Sequence, residues 1–396
     1  MRVFVQGLAG EPAPILQALA AAPEASRGVT YSGALVPPVN RRDPAAFHPQ
    51  ARAEAFFLTP EMRPSFEAGR IDFLPMNYSA IYRHFESQAF DLALIQVAPP
   101  DEEGNCSLGI ATDFAPAALG RAKRVLAEVN RRMPRTRGVA GVPLSRIDCA
   151  IETDRPLPEF EFGKANAETR AIAGHVAGLI EDGACLQIGI GQLPAAILSA
   201  LGDRRRLSMH TGMIVDQVRD LALAGAMSGP ILTGVALGTR ALYDWCAGPA
   251  VTFATTAVTH DLRRIAANPG FVSINGALAV DLFGQVVSES LRGRQASGIG
   301  GFADFQRGAR LAPGGRSIVA LPATAGGKAS RIVARHEPGA VVSGARVDVD
   351  LVATEHGVAR LAGASLEARA ERLIAIAAPQ FRDELAAQWR EIRSRL

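Results

Sequence analysis

The chain has 396 residues, of which 48% are hydrophobic and 20% charged, enough to bury large cores in two or three domains. Its formal net charge of +3 comes from intermixed acids and bases, so nothing points to a nucleic-acid footprint and no nucleic-acid partner is expected. No apolar run approaches the roughly 18 residues a membrane helix needs, so a soluble, cytoplasmic protein without a membrane partner is expected.

In chain order, "MRVFVQGLAG" opens as a strand, without the charged start and long apolar stretch of a signal peptide. "DLALIQV" reads as a strand covered on both faces. Arg131, Arg132, Arg135 and Arg137, and later Arg204 to Arg206, read as solvated surface. "DRPLPEFEFGKANAE" reads as a linker, and the helix "NAETRAIAGHVAGLIEDG" opens a second half. There "CLQIGIG" is a strand, "LPAAILSALG" a helix, "RLSMH" a strand, and "VDQVRDLALAG" a helix closed by Gly225. Such alternation means βαβ units and a mostly parallel sheet. "SIVALP" and "VDLVAT" add buried strands. The tail is helical, with Ser365 as an N-cap and Pro379 separating two helices.

The halves repeat each other. Pro-Ala-x-Ile-Leu-x-Ala-Leu occurs at Pro12 to Leu19 and again at Pro194 to Leu201, each after a strand and paired glycines (Gly7 and Gly10; Gly189 and Gly191). At a similar offset, Leu94 to Asn105 parallels Ser273 to Gln285, with Asp101 and Gly104 matching Asp281 and Gly284. The fold class expected is α/β: two tandem similar open α/β domains with mostly parallel sheets, over residues 1–165 and 166–396.

Four cysteines (Cys106, Cys149, Cys185, Cys246) form no CxxC pair or His/Cys cluster, so neither a metal site nor a disulfide framework is expected, and each reads as a small buried residue. Three glycine loops fall at strand ends of the second domain. The stretch Gly189, Ile190, Gly191, Gln192 lets backbone approach a ligand and opens a helix whose N–H groups suit an anion. "SGIGGFADF" has the successive N–H groups of an oxyanion hole or phosphate nest. "PATAGGKASRIV" offers a loop with Lys328. Together they favour a ligand crevice, although each is also compatible with an ordinary surface turn.

The stretches "DLALIQVAPPDEEGNCSLG", "LIEDGACLQIGIGQLPAAIL", "VSINGALAVDLFGQVVSES", "SGIGGFADFQRGA" and "TEHGVARLAG" resemble the family I coenzyme A transferases, in the branch of 4-hydroxybutyrate CoA-transferase and the acetyl-CoA hydrolase/transferases. The resemblance spans nearly the whole chain. It implies two open α/β domains with an active site between them, a homodimer or higher homo-oligomer, and CoA or acyl-CoA as the ligand. It also implies ping-pong chemistry, in which a glutamate attacks the acyl-CoA and carries CoA as a thioester. By the same resemblance the CoA-side residues are Gly189, Ile190, Gly191, Gln192, Asn275, Gly298, Gly300, Gly301 and Lys328.

One departure bears on the chemistry. The family's His-Ser/Thr-Glu-Met motif appears as His210-Thr211-Gly212-Met213, so Gly212 occupies the nucleophile position without a side chain. Around it, the family's Tyr-x-Asn-His stretch reads Ala257-Val258-Thr259-His260, a loop glutamine is replaced by Phe302, and Ala279 stands where relatives often carry Glu or Gln. Ala257, Thr259, Ala279 and Phe302 are therefore candidate walls of the acyl pocket. His210 and His260 are candidate general bases, or else orienting core histidines. Asp216 and Glu289 read as structural acids. Three functions follow as expectations: hydrolysis or direct acyl transfer from an acyl-CoA without a glutamyl-CoA intermediate, a non-catalytic CoA-binding or regulatory homologue, and a conventional acyl-CoA:carboxylate CoA-transferase.

Overall fold

The structure is a computed structural model that describes every residue except Pro38 and Arg292. The chain forms two compact units. The first comprises Met1–Glu161, Gly212–Asp216 and Pro230–Asp261; the second comprises Phe162–Thr211, Gln217–Gly229 and Leu262–Leu396.

The first unit holds β1 (Arg2–Val5), β2 (Thr30–Gly33), β3 (Arg52–Ala55), β4 (Ile71–Phe73), β5 (Phe90–Val97), β6 (Ala122–Asn130) and β7 (Cys149–Thr153). They lie in the order β4-β3-β2-β1-β5-β6-β7, with every neighbouring pair parallel. Helices α1 (Ala13–Ala21), α2 (Tyr78–Ser87) and α3 (Ala115–Leu119) connect them. Strand β5 is the apolar "DLALIQV" run, buried from Ala93 to Val97 as expected of a strand covered on both faces. Phe85 of α2 packs edge to face against Phe4, Phe56 and Phe114, and Phe4 against Phe90.

No helix or strand forms from residue 154 to residue 166, the stretch expected to be a linker. Asn166 then caps α4 (Ala167–Ala177), its side chain accepting from Thr169 N at 2.8 Å. Strands β8 (Cys185–Ile188) and β9 (Ser208–His210), with helix α5 (Gln192–Ser199), belong to the second unit. Helix α6 (Asp216–Leu223) follows, and β10 (Ile231–Thr233), α7 (Arg240–Cys246), β11 (Val251–Phe253) and α8 (Thr256–Thr259) return to the first unit, where β10 and β11 pair in parallel. The rest is in the second unit: β12 (Phe271–Gly276), α9 (Phe302–Leu311), β13 (Arg316–Ala320), β14 (Leu351–Thr354), β15 (Gly357–Arg360), α10 (Leu366–Ile376) and α11 (Arg382–Arg393). Its strands run β9-β8-β12-β13-β14-β15, parallel except for the last pair. Ser365 caps α10 through Ala368 N at 3.2 Å, and a short turn from Pro379 separates α10 from α11.

The two sheets repeat one plan. β1 lies between β2 and β5 and leads into α1, and β8 lies between β9 and β12 and leads into α5. The second sequence correspondence is one turn built twice. Asp101 O accepts from Gly104 N at 2.9 Å and its Oδ1 from Asn105 N at 2.6 Å; Asp281 O accepts from Gly284 N at 2.8 Å and its Oδ1 from Gln285 N at 2.8 Å. Both glycines adopt left-handed φ, +79° and +88°, which costs a side-chain-bearing residue about 1–2 kcal/mol.

The cysteines depart from expectation in one case. Cys106, Cys185 and Cys246 are buried, but Cys149 is exposed, because β7 is an edge strand.

Candidate active site

The loop after β8 is open. Gly191 has φ +129°, a conformation reserved for glycine, and α5 starts beyond it without a side-chain cap, leaving N–H groups at its mouth. Gln192 Nε2 donates to Lys164 O at 2.6 Å. A side chain at Gly189 would stand 3.7 Å from Asn275 Oδ1, so these two predicted residues are neighbours. Asn275 belongs to a polar triad: its Nδ2 donates to Ser273 Oγ at 2.9 Å, and Ser273 Oγ donates to Gln187 Oε1 at 2.7 Å. Beside this loop is a cavity of about 570 Å³ lined by Lys164, Arg170, Gln192, Ser199 and Gln217 among others. It carries two cations and the buried, unpartnered Gln217 Oε1.

Gly298, Gly300 and Gly301 lie on the loop that enters α9, with Gly300 at φ +60°. Lys328 is exposed in a hairpin whose Gly326 and Gly327 are both left-handed. Ala279 pairs with Val287 in a small three-stranded sheet. Phe302, a candidate pocket wall, has its side chain in the core of the second unit with Val286, Val319 and Leu321.

The two histidines fall in different compact units. His210 is buried, with its Nδ1 3.4 Å from Asn268 Nδ2 and its ring edge-on to Phe271. His260 Nδ1 pairs with Thr259 Oγ1 at 2.8 Å, and its ring centroid is 5.0 Å from that of Tyr78. Thr259 is therefore buried against the histidine, and Ala257 is exposed. Gly212 O accepts from Gly234 N at 3.2 Å, and Met213–Ile214 pairs in parallel with Val235–Ala236. Both acids expected to be structural are engaged. Asp216 accepts from Thr239 N at 3.0 Å and Thr239 Oγ1 at 2.6 Å, and Glu289 accepts from Gln295 Nε2 and Ser343 Oγ, both at 3.0 Å.

Sequence reasoning missed Asp113. It sits at the start of α3, only 8% exposed. The hydrogen bonds reaching its carboxyl come from its own N–H and from Phe114 N at 2.8 Å, and no side chain among the described residues donates to it. Burial pushes its pKa up to about 7, despite those N–H groups. Tyr78 is pushed up in turn, by burial first and by the Asp113 charge second. Gly234 packs between Asp113 and Gly212: a Cβ there would meet Gly212 O at 3.3 Å and Asp113 Cβ at 3.5 Å. Nothing in the "ATDFAP" stretch signalled this, because its neighbours come from distant segments.

Among the described residues there is no His/Cys/Asp/Glu group suited to a metal, and no helix long and apolar enough to cross a membrane.

A parallel, duplicated α/β scaffold with glycine loops at its strand ends defines a class of ligand-binding fold. The acetyl-CoA hydrolase/transferase N-terminal domain matches residues 1–158, and the C-terminal domain of that name matches residues 238–389. The chain belongs to the acetyl-CoA hydrolase/transferase family. It is 41% identical over 352 residues to the 4-hydroxybutyrate coenzyme A transferase of Clostridium kluyveri, covering 86% of this chain and 82% of the relative. Its structure is similar to that of RipA from Yersinia pestis, with a TM-score of 0.92 at 31% identity over 99% of this chain and 94% of the other. The 4-hydroxybutyrate CoA-transferase of Porphyromonas gingivalis matches with a TM-score of 0.82 at 32% identity over 100% of this chain and 94% of the other.

Proposed function

We propose that the chain acts on an acyl-CoA thioester, by hydrolysis or by direct acyl transfer, without a glutamyl-CoA intermediate. The observation that carries this is Gly212. In the motif that resembles the family's His-Ser/Thr-Glu-Met, the position of the carboxylate nucleophile has no side chain, so no covalent carboxyl adduct forms there. The CoA side is retained: Gly189, Ile190, Gly191, Gln192 and Asn275 cluster around an open helix N-terminus, and Lys164 and Arg170 line the adjoining cavity, where the anionic CoA phosphates suit them. Gly298, Gly300, Gly301 and Lys328 belong to the same reading, with the glycine N–H groups polarising the thioester carbonyl. Assembly as a homo-oligomer is part of it, and sedimentation measures that directly.

The test is thiol release from a panel of acyl-CoAs, with and without acetate, alongside Gly212→Glu. Release by the native chain without a carboxylate acceptor supports the reading. Silence in the native chain, combined with acetate-dependent activity in Gly212→Glu, replaces it with a CoA-binding homologue on an intact transferase scaffold. A trapped glutamyl-CoA adduct in the native chain restores the conventional transferase.

A further inference from the structure

Within the first unit, four elements bring a small set of groups together: the segment before α3 carries Asp113, α2 carries Tyr78, α8 carries Thr256 and leads to His260, and Gly234 joins Asp113 to the turn at Gly212. Thr256 is fully buried. Its N–H donates to Asp113 O at 2.9 Å, while its Oγ1 has no partner. Among the described residues no side chain donates to the buried Asp113 carboxyl and nothing pairs with the buried Thr256 hydroxyl, and each is costly for stability alone. Resting on the reading above, we infer that Asp113 is the general base of this site, taking the proton from the water or hydroxyl acceptor that attacks the thioester carbonyl beside Gly212.

The step balances. The acceptor oxygen bonds to the carbonyl carbon as its proton passes to Asp113. The carbon–sulfur bond then breaks, and Asp113 returns that proton to the departing CoA thiolate. The products are free CoA and an acid, or an ester where the acceptor is an alcohol. This defines the acceptor class as neutral and protic, since a carboxylate anion has no proton to give and would be repelled by Asp113. The base is tuned for neutral pH, because burial places its ionisation at about 7.

Tyr78 faces Asp113, and its ring lies against His260. On the rest of α2, Tyr82 is tied to Thr255, Arg83 and Glu86 are exposed, and His84 turns to Glu54 at 3.5 Å. Helix α3 carries no titratable side chain.

The experiment measures hydrolysis of an acyl-CoA panel against pH for the native chain and for Asp113→Asn and Asp113→Ser, with CoA affinity by calorimetry as the folding control. The expected native profile rises with a midpoint near 7. Both variants are expected to lose about 100-fold or more in kcat and to lose that rise, with CoA affinity within about threefold. An active native chain whose variants keep the rate and the rise overturns the role of Asp113 and leaves the hydrolase reading standing. A native chain that is silent on every acyl-CoA overturns both. Should neither variant fold, a native profile flat from about pH 5.5 to about 8.5 overturns the assignment, and a rise centred near 7 sustains it.

Discussion

Asp216→Ala tests what holds the turn at Gly212 in place. The Asp216 carboxylate accepts from Thr239 N at 3.0 Å and from Thr239 Oγ1 at 2.6 Å, tying the segment Gly212–Asp216 to the start of α7. Charge-assisted hydrogen bonds contribute about 1.5–3 kcal/mol each, and Asp216 is half-buried, so the lower end applies. An acid in the first turn of α6 adds about 0.3–1 kcal/mol. The carboxylate also fills the space at Gly238, where a Cβ would lie 2.2 Å from Asp216 Oδ2. The expected local loss is therefore about 3 kcal/mol for alanine. It is about half that for Asp216→Asn, which keeps one neutral acceptor. Hydrogen exchange at residues 212–216 and 239–243 reads this locally, which suits a two-unit chain that need not unfold in one step. Thioester cleavage should fall while CoA affinity holds. Exchange in Asp216→Ala within about 0.5 kcal/mol of the native chain would refute the reasoning.

Three further outcomes follow from the same structure. Arg155 Nε and Nη2 hold the fully buried Glu128 carboxylate at 2.6 and 3.0 Å, so Arg155→Ala should cost about 3–5 kcal/mol in denaturant unfolding of the first unit. Asn275→Ala breaks the triad with Gln187 and Ser273 and should weaken CoA binding by about tenfold in calorimetry, with little change in melting temperature. The third concerns pH. Asp113 ionises at about 7 when folded and near 3.8 when unfolded, so the folded state holds the extra proton. Its stabilisation is full below about pH 4 and is lost as pH rises through 7, at about 1.4 kcal/mol per pH unit. Relative to Asp113→Asn, the native chain should lose up to about 4 kcal/mol between pH 4 and 8; parallel pH profiles of stability would contradict this.

Much of the scaffold was legible because it rests on local chemistry. Asp101 with Gly104, and Asp281 with Gly284, specify one turn through a side-chain acceptor and a left-handed glycine, and both lie within a few residues. Strand β5 announced itself by a continuous apolar run. The linker, the Ser365 cap and the break at Pro379 are signals of the same kind. The site resisted because its neighbours are remote in sequence. Asp113 is unexceptional in "ATDFAP"; it becomes a buried, elevated carboxyl only when α2, α8 and Gly234 close on it. Phe302 is placed by its helix rather than by its loop. It begins a helix beside a glycine loop, yet the amphipathic face of α9 turns it into the core. Cys149 followed the average for its type until an edge strand exposed it.

The duplication also shows how the same glycine loop is closed in one copy and open in the other. After β1, the loop is packed shut. Leu8 N–H is taken by Asn40 Oδ1 at 2.8 Å, a Cβ at Gly7 would lie 2.1 Å from Ala34 O, and one at Gly10 would lie 2.5 Å from the Gln6 side chain. After β8, the nearest atom to a Cβ at either Gly189 or Gly191 is 3.7 Å away, and Ile190 and Gln192 are exposed. The glycines of the first copy serve close packing, whereas those of the second leave backbone open to a ligand. A repeated motif in the sequence thus identifies equivalent positions, and the groups that close on one of them decide which copy stays open.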